Sequence, residues 1–315
     1  MQNSRYNILR VLHNPNRALD IALKRVRALF WKHYVCKIRD PKIVVHSDYQ
    51  LRFLEGREDE KDRINTDILA SGIPLRDIDL KAAEFHKFVK DADYFHETKY
   101  EGYRNLYAHA IYNKIVQHYV SILLLDHTRI SDYPLIYMDV GSEYSVGPDV
   151  YNKLFDWKFY RQDLSYKPGI HGVYIGGDAG NLPLPDESVH LITLHCAYEH
   201  FEGDSDVHLI KEAYRILKPK GRLVIVPLYL SDKDRIMTDP VVSVPAGIKF
   251  LDRIEVICIP RWWNRFGRLY SVQTLKNRVI DQWKNDRVWL VRFFNDKSLH
   301  KDCYISYGLV LEKNN

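Results

Sequence analysis

The sequence predicts an α/β protein: a mostly parallel, seven-stranded sheet flanked by helices and preceded by a mainly helical N-terminal extension. Its 315 residues suffice for one large domain with an extension, and 46% apolar with 28% charged residues is ordinary globular composition. From Pro134 onward, short apolar runs alternate with helical segments, which is typical of βαβ units. Before that residue, apolar side chains recur mostly at helical spacing.

The composition excludes several classes of protein. Four cysteines lie far apart without a C-x-x-C pair, which disfavours both a zinc knuckle and a disulfide framework. No apolar run approaches the roughly 20 residues that cross a bilayer. Basic residues interrupt every N-terminal segment that could serve as a secretory signal. We therefore expect a cytoplasmic protein.

Residues 1–40 are strongly basic, with nine basic and two acidic side chains. From Asn16 to Cys36, apolar residues recur at steps of three and four, which predicts one basic amphipathic helix. One interpretation packs this helix on the neighbouring domain and leaves its charged face in solvent. The other docks it on an anionic membrane or a polyanion, which would place the protein peripherally at the inner membrane surface.

Residues 41–130 are predicted to form a mainly helical region. It includes a short strand at Ile43–His46 and a solvated mixed-charge run at Arg57–Arg63. Two helices follow, at about Leu80–Asp91 and Tyr103–Leu125, where the apolar spacing is helical. The change of pattern at Pro134 predicts a domain boundary near residue 130.

Residues 131–315 are predicted to form the α/β domain, with an insertion at 228–269. The predicted strands are Leu135–Val140, Lys158–Asp163, Gly172–Gly176, Val189–His195, Arg222–Pro227, Val288–Phe294 and Tyr304–Glu312. The predicted helices are Gly147–Phe155, Ser205–Leu217 and Ser271–Trp283, the last with Ser271 as its N-cap.

The first predicted strand of this domain ends in a chemically distinctive turn. Leu135–Ser142 is an apolar strand that ends in Asp139, Val140 and Gly141 and then turns toward a helix. Ligands of open α/β sheets lie at the carboxyl ends of the strands, and a glycine there admits a ligand close to the backbone. The turn therefore indicates a nucleotide-like ligand, although an ordinary strand-to-helix turn would look similar.

An ordered series of motifs follows downstream. Asp163 closes the next strand, where a carboxylate can accept hydrogen bonds from both hydroxyls of a ribose. The segment 176–188 reads GGDAGNLPLPDES, and the strand Val189–His195 comes directly after it. The stretch 215–221, RILKPKG, then leads into another apolar strand.

This series resembles the class I S-adenosylmethionine-dependent methyltransferases. Their pattern GDA-x-x-LP-x-x-D-x-S-hydrophobic, followed by EH and by E-x-x-R-x-LKPGG, is matched nearly in register between residues 176 and 227. The resemblance covers about residues 134–312. It implies a Rossmann-like fold, methyltransferase activity and S-adenosyl-L-methionine as the cofactor.

The resemblance also implies which residues bind the cofactor. Asp139 and Gly141 would lie against its methionine part, Asp163 would bind the ribose, and Asp178 would accept a hydrogen bond from the exocyclic amine of the adenine. The full set consists of Asp139, Gly141, Ser142, Asp163, Asp178, Ala179 and His195.

The chain departs from the family in the loop after its first strand. Glu143 and Ser145 stand where glycines are usual, so their side chains must point away from the cofactor or crowd it. This departure keeps a second hypothesis open: a degenerate methyltransferase fold that serves as a non-catalytic binding or scaffold protein.

The segment after the fourth predicted strand contains the candidate catalytic residues. Methyl transfer is an in-line displacement that gains most from alignment, and a base then removes the acceptor's proton. His200 is the first candidate for this base, His195 is the second, and Glu199 lies beside them. Alternatively, Glu199 and His200 cap the next helix, or they join a further group at a divalent metal. The sequence itself predicts no metal site.

The acceptor is predicted to be a small molecule, a saccharide or a lipid-linked saccharide. Pro260–Arg268 interleaves tryptophans with arginines, which suits a lid over a sugar or an anionic group. Alternatively, this insertion packs on the N-terminal helices. An RNA methyltransferase anchored by residues 1–40 is a third hypothesis. Nucleic acid is disfavoured because the α/β domain carries no net positive charge.

Overall fold

The structure is a computed structural model that describes residues 15–40, 42–46, 58–251, 253–284, 286–301 and 303–314. Contacts divide the chain into two compact units. Within the described residues, the first unit contains the chain up to residue 46 together with 235–267, and the second contains 58–234 and 268–314. The domain boundaries drawn from the sequence stay a prediction.

Nine α-helices and twelve strands occur in the described chain. The helices are α1 (Pro15–Ile38), α2 (Glu58–Ser71), α3 (Ala82–Ala92), α4 (Glu101–Leu106), α5 (Ile111–Leu125), α6 (Gly147–Phe155), α7 (Ser205–Ile216), α8 (Pro240–Ser243) and α9 (Val272–Arg278). The strands are β1 (Val44–His46), β2 (Leu75–Ile78), β3 (Ile136–Val140), β4 (Lys158–His171), β5 (Tyr174–Gly176), β6 (Val189–His195), β7 (Leu217–Val226), β8 (Arg235–Thr238), β9 (Glu255–Cys258), β10 (Gly267–Leu269), β11 (Arg287–Phe293) and β12 (Tyr307–Glu312).

The second unit is built on an eight-stranded sheet of order β2-β11-β12-β7-β6-β3-β4-β5. Its neighbours are parallel except for β12, which is antiparallel to both β11 and β7. The predicted mostly parallel, Rossmann-like α/β class is confirmed, and all seven predicted strands lie in this sheet. The strand number is corrected to eight, because β2 extends one edge. Two of its four residues, Arg76 and Asp77, are charged, so its sequence does not resemble a strand.

Helices cover both faces of this sheet. Buried side chains of α2, α7 and α9 pack on one face, and those of α3, α5 and α6 pack on the other. The strand residues alternate between the two cores: Met138 and Val140 belong to the first, and Tyr137 belongs to the second. Because β3 is buried on both faces, its sequence is a continuous apolar run with one acid.

The strand order reverses between β3 and β6. From β3 the chain proceeds outward to β4 and β5, and it then returns to β6 on the other side of β3. In open α/β sheets, ligands bind at the carboxyl ends of the strands at such a switch point. The turn after β3 and the loop after β6 therefore flank the candidate site.

The predicted helix at 103–125 is wrong as a single element, because the chain forms α4 and α5 with a turn between them. The reason is a contact between Tyr103 and His118, whose ring centroids lie 6.1 Å apart. In one straight helix these residues would be about 22 Å apart along the axis. The break lets α4 fold back and bury Tyr103 against α5.

The first unit contains α1 and a small parallel sheet in which β9 lies between β1 and β8. Val35 and Ile38 at the end of α1 are buried with Val256 in the core of this unit. Leu29 and Phe30 on the same helix are 69% and 56% exposed. Residues 1–14, and several side chains on which the amphipathic interpretation rests, lie outside the described residues. These are Leu19, Ala22, Arg17, Lys24, Arg25 and Arg27.

The longest helix of the described residues is α1, with 24 residues. None of the helices in these residues combines the length and the hydrophobicity that a bilayer crossing requires.

Candidate functional site

Asp139, near the end of β3, is buried and bonded by three side chains. Its carboxylate accepts hydrogen bonds from Ser145 Oγ at 2.6 Å and Thr193 Oγ1 at 2.9 Å, and His195 Nδ1 lies 3.1 Å away. Burial raises the pKa of Asp139, but the contacts with His195 and Ser145 outweigh burial and lower it to about 2. Asp139 thus stays ionised and ties the turn after β3 to β6.

His195 has both of its ring nitrogens engaged inside the protein. Nδ1 contacts Asp139, and Nε2 lies 3.0 Å from Ser121 Oγ. Its ring centroid is 4.9 Å from that of His118, whose pKa is lowered by burial and by the proximity of His195. The predicted roles of His195 as second base and cofactor contact stay predictions. Because both ring nitrogens of His195 contact protein side chains, we infer that His195 positions the carboxylate of Asp139.

Gly141, directly after β3, lies against Ala197 in the loop after β6. Its φ is +71°, and a Cβ at this position would lie 2.6 Å from the Cβ of Ala197. The amides of Gly141 and Ser142 both donate to the Gln162 carbonyl, at 2.9 and 3.0 Å. Ser142 is buried and directs its Oγ to the same carbonyl at 3.2 Å. The turn therefore requires glycine at 141 on steric grounds.

The two residues that replace the usual glycines are accommodated without burial of a charge. Glu143 is exposed, and its backbone N–H donates to Asp163 Oδ2 at 2.9 Å. Ser145 directs its hydroxyl back to Asp139. Between them, Tyr144 has a φ of +62° and is largely exposed. The side chain of Glu143 therefore faces solvent, and that of Ser145 is directed to the Asp139 carboxylate.

Asp163 lies at the carboxyl edge of the sheet, where it pairs with Gly176 of β5. Its Oδ1 accepts a hydrogen bond from the Ser165 amide at 2.9 Å, and its Oδ2 accepts from the Glu143 amide. An ionised carboxylate offers about four acceptor positions, so two remain. Asp163 is partly exposed and can therefore accept hydrogen bonds from a bound ligand.

Asp178 and Ala179 follow β5 at the same edge. Asp178 is exposed and accepts a hydrogen bond from the Gly180 amide at 2.9 Å through Oδ1. Ala179 is buried. Since β4 and β5 are adjacent and Asp163 pairs with Gly176, the structure brings Asp163 and Asp178 to the same edge of the sheet. These are the positions that the sequence predicted for ribose and adenine contacts.

A fold-back after Asp163 was not predicted. Ile170 and His171 pair with β5, and a Cβ on Gly176 would lie 2.1 Å from the carbonyl oxygen of Lys167. The signal in the sequence is the Pro168-Gly169 dipeptide, which is typical of turns, and Gly169 has a φ of +94°. The last residues of β4 therefore fold back beside β5.

Glu199 and His200 belong to a short 3₁₀ turn after β6, Tyr198–His200. They do not cap α7, which begins five residues after His200. His200 is about one-third exposed, and its Nε2 lies 3.7 Å from Glu199 Oε1. Glu199 is buried, which raises the pKa of its carboxyl. A solvent-accessible imidazole thus lies beside a buried carboxylate.

Sequence reasoning missed four side chains that surround Cys196. Lys114 and Gln117 come from α5, Tyr229 follows β7, and Tyr304 precedes β12. One signal was available: Lys114 and Gln117 are polar residues three positions apart, and thus on one face, in an otherwise mostly apolar helix. The group of these four residues with Cys196 and Glu199 is called the Cys196 cluster.

A buried ionic network fixes the start of α7. Asp206 accepts hydrogen bonds from Arg268 and from the Tyr270 hydroxyl, the latter at 2.8 Å. It also accepts from Arg278 Nε at 2.8 Å. Burial raises the pKa of Asp206, but the two guanidinium groups lower it further than burial raises it. Because Arg268 and Arg278 also donate to the Gly203 carbonyl, the network holds the loop between His200 and α7 against α9 and the segment before it.

Several aromatic side chains that precede β3 belong to the buried core. Tyr94, Tyr100 and Tyr103 are buried, and the Tyr94 hydroxyl lies 2.7 Å from His118 Nδ1. In the first unit, the ring of Trp262 packs directly on Gly267. The expectation that Pro260–Arg268 forms a lid over the acceptor stays a prediction.

Within the described ranges, no three His, Cys, Asp or Glu side chains are grouped so as to hold a metal ion.

Part of the chain is similar to known proteins. Residues 146–225 match the family described as "Methyltransferase domain". The chain is 28% identical over 131 residues to a demethylmenaquinone methyltransferase of Chlamydia muridarum (strain MoPn / Nigg). The match covers 40% of this chain, and the chain spans about half the length of that curated relative. The family match runs from α6 to β7 and contains Asp163, Asp178 and His200.

Solved structures were also compared. A 1,6-didemethyltoxoflavin-N1-methyltransferase of Burkholderia thailandensis, solved with 1,6-didemethyltoxoflavin and S-adenosylhomocysteine, is 14% identical. The likeness covers 76% of this chain and 93% of that one, with a TM-score of 0.44. The YcgJ protein of Bacillus subtilis is 14% identical, over 63% of this chain and 100% of that one, with a TM-score of 0.35.

Proposed function

We propose that this chain, which carries a domain of the class I S-adenosylmethionine-dependent methyltransferase family, transfers a methyl group from S-adenosyl-L-methionine to a small-molecule or saccharide acceptor. The observation that carries the proposal is the placement of Asp163 and Asp178 at one edge of the sheet, beside the turn that begins at Gly141. That edge is where ligands of open α/β sheets bind. We assign residues 131–315 to the catalytic domain and 41–130 to its helical extension.

The residues at this edge fit the cofactor. Asp163 retains acceptor positions for the ribose hydroxyls, and Asp178 has a second oxygen for the exocyclic amine of adenine beside Ala179. Gly141 and Ser142 would lie along the methionine part. The bound cofactor supplies an electrophilic methyl group on a sulfonium. The protein aligns the acceptor with that group and takes up the acceptor's proton.

His200 is the proposed general base. A partly exposed imidazole can accept a proton from an acceptor hydroxyl and pass it to water. The carboxyl of Glu199, with Oε1 3.7 Å from His200 Nε2, orients the ring. Glu199 is therefore proposed as a positioning residue for His200.

A non-catalytic binding or scaffold protein remains the second candidate function. The feature that favours it is the replacement of two glycines by Glu143 and Ser145. In the structure, however, Glu143 is exposed and Ser145 is bonded to Asp139, and this arrangement supports a working cofactor site. Calorimetry with S-adenosylhomocysteine separates the two candidates, since micromolar binding supports the enzyme and an absence of binding supports the scaffold.

Replacement of Asp163 by alanine is expected to weaken S-adenosylhomocysteine binding by about 1–3 kcal/mol, because the ribose hydroxyls lose their acceptor. Isothermal titration calorimetry measures the change. Asp186→Ala is a matched control, because Asp186 is an exposed aspartate of the same domain that pairs with Arg215. Equal affinities of Asp163→Ala and the unaltered protein would remove Asp163 from the proposed site.

We also propose that α1 holds this cytoplasmic protein on the inner membrane surface. Residues 1–40 carry excess positive charge, and Leu29 and Phe30 of α1 are exposed. Insertion of such apolar side chains combined with attraction to anionic lipid is typical of peripheral helices.

The Leu29→Gln/Phe30→Gln double variant is expected to lose at least about tenfold in binding to phosphatidylserine vesicles, because it has fewer apolar groups to insert. A pelleting assay measures the bound fraction. Val44→Gln is the control, since Val44 is an exposed apolar residue on β1. Equal pelleting of the double variant and the unaltered protein would contradict the membrane contact.

A further inference from the structure

The Cys196 cluster brings polar groups from separate parts of the chain to one thiol. Gln117 Nε2 donates to Cys196 Sγ at 3.0 Å, and the Tyr229 hydroxyl lies 3.5 Å from the same atom. Lys114 and Tyr304 also interact with the Cys196 side chain. Sulfur is a weak hydrogen-bond acceptor, so one thiol does not match this number of donors. The donor set suits a charged oxygen far better.

The cluster lies beside the proposed position of the methyl donor. Cys196 directly follows β6, has a φ of +48°, and donates its N–H to the Val226 carbonyl at 3.2 Å. The next residue, Ala197, is the one that approaches Gly141. The cluster therefore adjoins the turn that would hold the methionine part of the cofactor.

Two buried oxygens of the cluster point to a ligand. Gln117 is fully buried and Glu199 is 6% exposed. Within the described chain, neither Gln117 Oε1 nor Glu199 Oε2 has a hydrogen-bond partner. Buried polar atoms are nearly always satisfied, and acceptors like these match a ligand that brings a hydroxyl or N–H. Glu199 interacts electrostatically with both Tyr229 and Tyr304, so its carboxyl belongs to the same cluster.

The charges of the cluster favour a ligand oxyanion. Burial lowers the pKa of Lys114, but its acidic neighbours Cys196 and Tyr107 raise it above the ordinary value, so the side chain stays an ammonium. Burial raises the pKa of Tyr229, and the neighbouring Cys196 with burial raises that of Tyr304. Both phenols therefore remain hydroxyl donors. A buried cation flanked by two hydroxyls stabilises a negative oxygen.

We propose that the Cys196 cluster is the acceptor pocket and that the acceptor is an acidic hydroxyl compound, a phenol or an enol, methylated on that oxygen. The inference rests on the proposed function and narrows its acceptor class. Lys114, Tyr229 and Tyr304 hold the oxygen as it becomes negative. The ring of Tyr107, whose centroid is 4.9 Å from Lys114 Nζ, offers a flat apolar surface beside this position.

The reaction balances with these groups. The acceptor hydroxyl gives its proton to His200, which releases it to water, and the oxygen becomes an oxyanion held by Lys114. An electron pair of this oxygen forms the new O–C bond to the methyl group. The S–C bond breaks, and its electron pair stays on sulfur, so the sulfonium becomes a neutral thioether. The acceptor leaves as a neutral methyl ether, for which an ammonium has less affinity.

The test uses 4-nitrophenol as the probe, because its ionised form absorbs visible light and its neutral form does not. At a pH below the pKa of the probe, the full-length protein is expected to raise the ionised fraction on binding. Lys114→Met should weaken this binding by roughly tenfold to hundredfold, since a charge-assisted hydrogen bond is lost. Lys211→Met, at an exposed lysine on α7, should leave it unchanged.

A second variant tests the pocket in case Lys114→Met does not fold. Tyr304→Phe removes one hydroxyl and keeps the ring, so it should fold and should still weaken nitrophenolate binding several-fold. Calorimetry with S-adenosylhomocysteine is run on every variant. Equal nitrophenolate binding by the unaltered protein and both variants would overturn the pocket, as would no binding by a protein that binds S-adenosylhomocysteine. If the unaltered protein binds nitrophenolate but does not bind S-adenosylhomocysteine, the proposed function is overturned instead.

Discussion

Replacement of His200 by alanine is expected to lower turnover by about 100-fold to 10,000-fold while leaving the affinity for S-adenosylhomocysteine unchanged. The reason is the position of the imidazole: it is solvent-accessible, lies beside the buried Glu199, and belongs to the turn that adjoins the Cys196 cluster. The measurement is the rate of S-adenosylhomocysteine formation with the fastest acceptor from a panel of phenols, enols and sugars.

Two comparisons decide whether proton transfer is the cause. His86→Ala changes an exposed histidine on α3, away from the sheet edge, and should keep full turnover. His200→Gln keeps a polar side chain but cannot take up the proton, so it should be nearly as slow as His200→Ala. Full turnover of either His200 variant would assign the rate to alignment of donor and acceptor alone.

The fold was predictable wherever burial on both faces dictates the sequence. The strand Val189–His195 and the helix Gly147–Phe155 occur with the bounds predicted, because a doubly covered strand reads as a continuous apolar run and an amphipathic helix shows its period. The edge strand Leu75–Ile78 could not be found this way. It is half exposed, and only its pairing with β11 makes it a strand.

The break between α4 and α5 depends on a long-range contact. The helical spacing of apolar residues is continuous through 103–125, so local pattern alone predicts one helix. The stacking of Tyr103 on His118 decides against it, and that contact forms only after the chain has folded back. Such a tertiary contact is not encoded in any local window.

The cofactor side of the candidate site could be predicted from the sequence, whereas the Cys196 cluster could not. Gly141 and Asp178 come just after strands, and Asp163 pairs with the last residue of β5, so their meeting at one edge follows from the topology of parallel sheets. The Cys196 cluster combines α5, the loop after β6 and the segment before β12, which are distant in sequence. Residues such as Lys114 and Tyr304 therefore look unremarkable until the fold brings them together.

Replacement of Asp206 by asparagine is expected to destabilise the protein by about 3–5 kcal/mol and to lower its melting temperature by roughly 10 °C. Asp206 is fully buried and is the shared counter-ion of Arg268 and Arg278. Asparagine removes the negative charge and turns an N–H toward two guanidinium groups. Arg268 and Arg278, which are largely out of solvent, then lose the counter-ion that balances their charge. The carboxylate also accepts a hydrogen bond from the Tyr270 hydroxyl, which an amide nitrogen cannot accept.

Asp204→Asn is the matched control for this effect. Asp204 lies two residues away and contacts the same Arg278 at 3.1 Å, but its side chain is 72% exposed. Exposed ion pairs contribute about 0–1 kcal/mol, because water already compensates both charges. Thermal unfolding followed by circular dichroism should therefore separate the two variants widely. Equal melting temperatures would mean that Arg268 and Arg278 find other compensation, and that Asp206 does not anchor the loop carrying His200.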